Sequence, residues 1–280
     1  MTFGIIGLGR MGTAAALKIS AADHDVVGWT RSGRAVDGVE MVASQAELVE
    51  RSGVILLFLY DDAAVREVVE DLLGLDLTGR LIVDTSTVSP RTLRGFEARL
   101  NAAGASAVDA PISGGPDLIA AGNAGVFLGG KAEDTDKAAK VLSAIAAHTP
   151  RVGPLGSGCA AKAFNNHMLQ VYMGGLIEAT EVGRSNGLSG ATMLEILKAS
   201  PGFAPVLASR MDILTGENDR VGFPVSGGLK DNRLFSEIAH EAGHEAPGLE
   251  LLHRAFIRAV ENGDGDADLA MPLARLLNDG

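Results

Sequence analysis

At 280 residues the chain is long enough for two ordinary domains, each with its own core. With 46% apolar and 21% charged residues its composition is globular, and no apolar run reaches membrane-spanning length. A net charge of −11 disfavours nucleic acid and anionic membrane surfaces as partners, while a locally basic site can still take an anionic cofactor. The single cysteine forms no internal disulfide, and the chain enters Thr2-Phe3-Gly4-Ile5-Ile6 without a basic leader, so a cytoplasmic protein is expected.

Phe3 to Ile6 reads as a short strand running into Gly7-Leu8-Gly9-Arg10-Met11-Gly12 and then a helix start at Ala14-Ala15-Ala16-Leu17. This is G-x-G-x-x-G in its strand–turn–helix context: the glycines permit a tight turn and close approach of a pyrophosphate, whose charge the helix N-terminus favours. The next strand, Asp25 to Trp29, ends in Thr30-Arg31-Ser32 with Arg34 close behind. An NAD site usually carries a carboxylate here; a guanidinium and two hydroxyls suit a ribose 2′-phosphate, so NADP is expected, with NAD possible.

Ser44 to Arg51 predicts a serine-capped helix, and Val54 to Leu59 a central parallel strand covered on both faces. Leu59 and Tyr60 then stand at a carboxyl end, as do Ser86 and Thr87 after the strand Leu81 to Asp84, where ligands of such sheets bind. Ser89 before Pro90 is expected to cap one helix through Leu93, Phe96 and Leu100. After Ala107-Val108-Asp109, the turn Ser113-Gly114-Gly115 is either a backbone nest for a carboxylate or a plain glycine turn. Val126-Phe127-Leu128 predicts one further strand, 134–147 an amphipathic helix, and Arg151-Val152 a closing strand.

From Ser157 to about Gly187 the pattern is one long helix, with further helices near 189–199, 204–214, 226–242, 246–262 and 267–277. The expected division is therefore a dinucleotide-binding domain over 1–156 and an all-helical domain over 157–280, joined by that helix. Gly174-Gly175 within it suggests close helix packing, including across a subunit interface. Small residues at Gly156, Ser157, Gly158 and Ala160 let a backbone or cofactor approach, and Lys162 and Asn166, one turn apart, share a face. Lys162 is the candidate proton donor of a nicotinamide-dependent reductase. Cys159 is read as packing, and Lys230 on its own signal as a solvated lysine. His240-Glu241-Ala242-Gly243-His244 matches a zinc-protease pattern, but Gly243 and Pro247 stop the helix before His244, so no metal site is assigned.

Together these segments resemble the β-hydroxyacid dehydrogenase family over nearly the whole chain. The similarity is carried in order by Gly7 to Gly12, Asp84 to Pro90, Asp109 to Gly115, Gly156 through Lys162 and Asn166, Lys230-Asp231, and Gly263 to Asp266. It implies an N-terminal Rossmann doubly wound sheet, a C-terminal all-helical domain that dimerises or tetramerises, and a small carboxylate substrate. By the same resemblance Lys162 is the general acid/base and Asn166 orients it or the substrate hydroxyl. Ser113, Gly114, Gly115 and Thr87 bind substrate, and Thr87 and Lys230 join the cofactor set. Leu118-Ile119, where the family often has Gly-Ala, implies a bulkier, more apolar pocket, and Tyr60 replaces a usual proline. Two alternatives are an imine reductase, against which the lysine argues, and a non-enzymatic NADPH-binding protein.

Overall fold

Short apolar runs alternating with amphipathic helices build a parallel sheet in the first half of the chain. The computed structural model describes residues 2–278. In order, the elements to the long helix are β1 (Phe3–Ile6), α1 (Arg10–Ser20), β2 (Val26–Trp29), β3 (Glu40–Met41), α2 (Gln45–Arg51), β4 (Val54–Leu57), α3 (Asp62–Leu73), β5 (Leu81–Asp84), α4 (Arg91–Arg94), α5 (Glu97–Ala102), β6 (Ser106–Asp109), β7 (Ile112–Ser113), α6 (Pro116–Ala121), β8 (Ala124–Val126), β9 (Leu128–Gly129), α7 (Ala132–Leu142), β10 (Ala146–His148), β11 (Arg151–Gly153) and α8 (Ser157–Ser185). Then come α9 (Gly190–Ala199), α10 (Pro205–Ala208), α11 (Met211–Leu214), α12 (Val225–Glu241), α13 (Pro247–Glu261) and α14 (Met271–Asn278).

The large sheet runs β11-β9-β6-β5-β4-β1-β2-β3, parallel throughout except where β9 meets β6. Its strands bury both faces because successive side chains alternate between two cores. Ile5, Leu56 and Val83 join one core with Ala15, Ala16 and Ile19 of α1; Ile6, Leu57 and Ile82 join the other with Leu48, Val65 and Leu72 of α2 and α3. Each of the Val, Leu and Ile side chains contributes about 1.5–3 kcal/mol on burial, each alanine about 1 kcal/mol or less. Serine caps α2 as expected, with Ser44 Oγ accepting from the Glu47 N–H at 3.2 Å, and Asp61 caps α3 in the same way. The fold is thus a doubly wound Rossmann sheet followed by helices. The chain divides into two compact units, Met1–Ala163 and Phe164–Gly280, and α8 runs through the division.

Several expectations need correction. The run Val126-Phe127-Leu128 is not one strand: Val126 ends β8 in a separate three-stranded sheet, β10-β8-β7, while Leu128 begins β9 in the large one. The helix expected over 134–147 closes at Leu142, and Ala146 to His148 pairs with β8 instead. The helix after Pro90 is broken in two at Gly95, and that over 204–214 divides into α10 and α11.

In the second unit Met173, Ile177, Leu229, Leu252, Phe256 and Leu273 form the core. Gly174 serves packing within the same chain: a Cβ there would lie 3.1 Å from the Leu251 Cβ and Leu252 N of α13.

Candidate active site

β1 lies between β4 and β2, so the chain reverses its direction of travel across the sheet there, leaving a crevice beyond the carboxyl ends of β1 and β4. The glycine turn fills its rim, and each glycine has its own reason. Gly7 has φ +94°, and a Cβ on it would come 2.3 Å from the Phe58 carbonyl oxygen. A Cβ on Gly12 would meet the Gly7 oxygen at 2.0 Å, so α1 packs tightly on the turn. Around a Cβ on Gly9, among the described residues and apart from its own chain neighbours, there is no atom within 4 Å. No protein atom demands a glycine at this position; open space beside bare backbone at a helix start is what an approaching pyrophosphate requires. Leu8 is buried, whereas Arg10 is exposed and Met11 half-buried.

The loops after β4 and β5 close round this turn. Leu59 approaches Gly7, and its backbone N–H donates to Ser86 Oγ at 2.9 Å. Thr85 Oγ1 donates to the Leu57 oxygen at 2.6 Å, and Thr87 follows, half-buried. Gly7, Leu8, Gly9, Leu59 and Thr87 are therefore brought to neighbouring loops. Tyr60 points outward and is 61% exposed. Beyond β2, Arg34 folds back to donate to the Leu8 oxygen at 2.8 Å. Thr30 is half-buried, Ser32 exposed, and the exposed Arg31 pairs with Glu67 of α3 at 3.2 Å.

At the other end of the β5 loop, α8 begins. Gly156 has φ +96°, and a Cβ on it would meet the Pro90 oxygen at 2.5 Å; one on Gly158 would meet the Phe127 and Asp109 oxygens at 2.4 and 2.6 Å. The glycines here make room for the protein's own backbone, the first of the two expected uses of these small residues. One turn on, Lys162 is 7% exposed, a rare burial for a lysine. Asn166 lies on α8 too, half-buried, its Oδ1 accepting from Asn165 Nδ2 at 3.0 Å.

Sequence reasoning missed two buried acids beneath this loop. Asp84 and Asp109 are paired residues of β5 and β6, both fully buried. Burial pushes the Asp84 carboxyl up to about 7, against the pull of the Ser86 hydrogen bonds and with the nearby Asp109 adding to the rise. Burial also raises Asp109, opposed by N–H donors from Cys159 and Gly156. The Cys159 thiol is held well above its ordinary range by burial and by both carboxylates, so it is inert packing. The available signal was an acid at the end of each of two adjacent apolar strands.

Ser113, Gly114 and Gly115 lie where β7 turns into α6, with Gly114 at φ +132° and Leu118 packed over it. Phe127 links this segment to the start of α8, donating its N–H to the Pro111 oxygen while its own oxygen faces Gly158. Ile119 is buried in the core, so only Leu118 can enlarge a pocket wall there. Lys230 of α12 is 2.7 Å from Asp231, an ion pair rather than a solvated lysine. α12 ends at Glu241 with Gly243 at φ +78°, so His244 lies past the helix.

The parallel sheet and its glycine turn define a dinucleotide-binding protein of the Rossmann class. Residues 2–156 match the NAD binding domain of 6-phosphogluconate dehydrogenase, and residues 156–276 the NAD-binding region of NADP-dependent 3-hydroxyisobutyrate dehydrogenase. An NAD-dependent L-serine dehydrogenase of Pseudomonas aeruginosa is 32% identical, covering 95% of this chain and 94% of its own. A 3-hydroxyisobutyrate dehydrogenase of Mycobacterium tuberculosis, solved with L-serine, superimposes with a TM-score of 0.86 at 26% identity over 98% of both chains. An imine reductase of Bacillus cereus, at 19% identity and a TM-score of 0.65 over 99% of both chains, shares the fold alone. The chain belongs to the β-hydroxyacid dehydrogenase family, and it is an NAD(P)-dependent oxidoreductase. Among the described residues no helix is long and apolar enough to cross a membrane.

Proposed function

We propose that this enzyme interconverts a short β-hydroxyacid and its semialdehyde or keto partner, using NADP in preference to NAD, with Lys162 as general acid/base. The observation that carries the reading is the burial of Lys162 one turn into a helix whose start packs on Pro90 of the β5 loop, the loop whose Ser86 also holds Leu59 beside the glycine turn. When bound, the dinucleotide supplies hydride chemistry at the carbinol carbon. This chain's residues do the rest. Lys162 gives or takes the hydroxyl proton, and its charge steadies developing alkoxide character. Asn166 orients that exchange. Ser113 and the Gly114 and Gly115 N–H groups hold the carboxylate, with Thr87 alongside. Gly7 to Gly12, Leu59, Tyr60, Thr87 and Lys230 hold the dinucleotide. The domains are taken as 1–156 for the dinucleotide and 157–280 for substrate and assembly.

L-Serine and 3-hydroxyisobutyrate, named for the relatives, share a carboxylate, a branch at the α-carbon and a primary alcohol. A substrate of that outline is therefore expected, with Leu118 adding an apolar edge. Turnover of L-serine, 3-hydroxyisobutyrate and related short β-hydroxyacids with NADP and NAD, against 2-methylpyrroline with NADPH, tests the reading. Reduction of the imine alone, or tight NADPH binding without turnover of any hydroxyacid, would overturn it.

NADP preference rests on Arg31, with Thr30 and Ser32, and on the lack of a carboxylate at the end of β2. Arg31→Ala should raise the KM for NADP(H) by roughly tenfold and leave that for NAD(H) unchanged; equal changes for both would remove the 2′-phosphate from Arg31. A homodimer or homotetramer in the cytoplasm is also proposed. Its support is the row of exposed apolar residues Phe164, Met168, Val171 and Val182 along α8. Light scattering should give a multiple of 28.9 kDa, and a mass of one chain would exclude it.

A further inference from the structure

A helix as long as α8 needs its first N–H groups satisfied; the Ser157 N–H donates to the Pro154 oxygen, but no side chain of the helix start serves the N–H groups on either side. In a reciprocal capping arrangement the N-cap side chain accepts from the N–H three residues on, and that residue's side chain accepts from the N-cap N–H. Here the position before Ser157 is Gly156, with no side chain, and three residues on is Cys159, with no carboxylate or amide. Both N–H groups are nevertheless bound, by one carboxylate from a distant part of the chain. The Gly156 N–H donates to Asp109 Oδ1 at 2.7 Å and the Cys159 N–H to Asp109 Oδ2 at 2.7 Å, across 47 and 50 residues of sequence. Short distances and an acceptor at the positive end of a helix favour an ionised carboxylate there.

The clamp has no slack. A Cβ on Gly129 would stand 2.2 Å from Asp109 Oδ1, and one on Gly158 would overlap the Asp109 backbone oxygen. Asp109 is itself the last residue of β6, held in register beside Asp84 of β5. Two bonds to two oxygens of one planar group fix both the depth and the rotation of the helix start. Lys162 follows Cys159 by three residues, so its direction is set by that rotation.

We propose that Asp109 is a positioning residue for Lys162, a capping group supplied by the sheet that fixes the orientation of the first two turns of α8. The proposal rests on Lys162 being the proton-transfer group, and the test separates the two. In the full-length enzyme, Asp109→Asn keeps one acceptor oxygen and Asp109→Ala keeps none. Turnover on the best β-hydroxyacid should fall by roughly ten- to a hundredfold for Asn and further for Ala, because small misplacements of a reacting group carry penalties of that order. Dinucleotide affinity, read from NADPH fluorescence, should stay within about twofold, since the Gly7 to Gly12 turn is not touched. Unchanged turnover in the folded Ala variant, or turnover and NADPH affinity falling by the same factor, overturns the proposal.

Should either variant fail to fold, amide exchange in the wild-type enzyme decides. The Gly156 and Cys159 amides should exchange as slowly as the interior of α8, and fast exchange would show that no clamp exists. If Lys162→Ala retains turnover, the proton-transfer assignment fails while this protection persists. If Lys162→Ala is inactive and Asp109→Ala is not, only the positioning role fails.

Discussion

Lys162→Ala is expected to lower turnover by roughly a hundred- to ten-thousandfold, the range a positioned proton donor supplies. Dinucleotide affinity should be unchanged, because the glycine turn and the loops after β4 and β5 form without this side chain. The size of the effect follows from where the ammonium sits. At 7% exposure it is largely withdrawn from water, so water is poorly placed to take over its task. Lys162→Arg sharpens the result. A guanidinium keeps the positive charge but does not give up a proton near neutral pH. If Arg recovers only a small part of the loss, proton transfer outweighs charge stabilisation; if it recovers most, charge is the larger share. Turnover above about a tenth of wild type in the Ala variant would assign the proton to another group.

The parts of this site legible in the sequence are those whose signal is local. Gly7, Gly9 and Gly12 announce themselves by spacing, and the structure gives each a distinct neighbourhood: a backbone oxygen, open space and a second backbone oxygen. The buried strands are legible because short runs dominated by apolar residues, such as Val54 to Leu57, leave few other readings. Where the residues of one run serve two sheets, the pattern fails, as at Val126-Phe127-Leu128, and two-residue strands such as β3, β7 and β9 carry too little periodicity to register. Ile119 looked like pocket bulk and is core, because a six-residue helix gives no reliable face. The role of Asp109 was invisible for another reason. Its partners are backbone N–H groups, which every residue has, so nothing about Gly156 or Cys159 as residue types names the acceptor.

The second large effect concerns stability. Asp84 is fully buried, accepts the Ser86 N–H through Oδ1 at 2.9 Å, and among the described residues has no hydrogen-bond partner for Oδ2. Its neighbour Asp109 accepts two N–H bonds at a helix start and is the better host for the negative charge. With its carboxyl pushed up to about 7, Asp84 holds a proton in the fold at pH values where the unfolded chain has lost it. A raised carboxyl opposes folding above its ordinary value: the group's contribution is fully favourable only below about pH 4 and is lost as pH climbs from there through 7. A shift of that size corresponds to at most about 4 kcal/mol. Asp84→Asn cannot ionise and keeps an oxygen for the Ser86 N–H. Its melting temperature should match wild type below about pH 4, exceed it increasingly from about pH 4 to 7 and hold a nearly constant lead above that, by up to about ten degrees. Thermal melts across that range measure the gap. If the variant were instead less stable at pH 8 than at pH 5 relative to wild type, Asp84 would have to be a charge the fold relies on. The proton would then have to reside on Asp109, and the double hydrogen bond that anchors α8 would have to be made by a neutral acid.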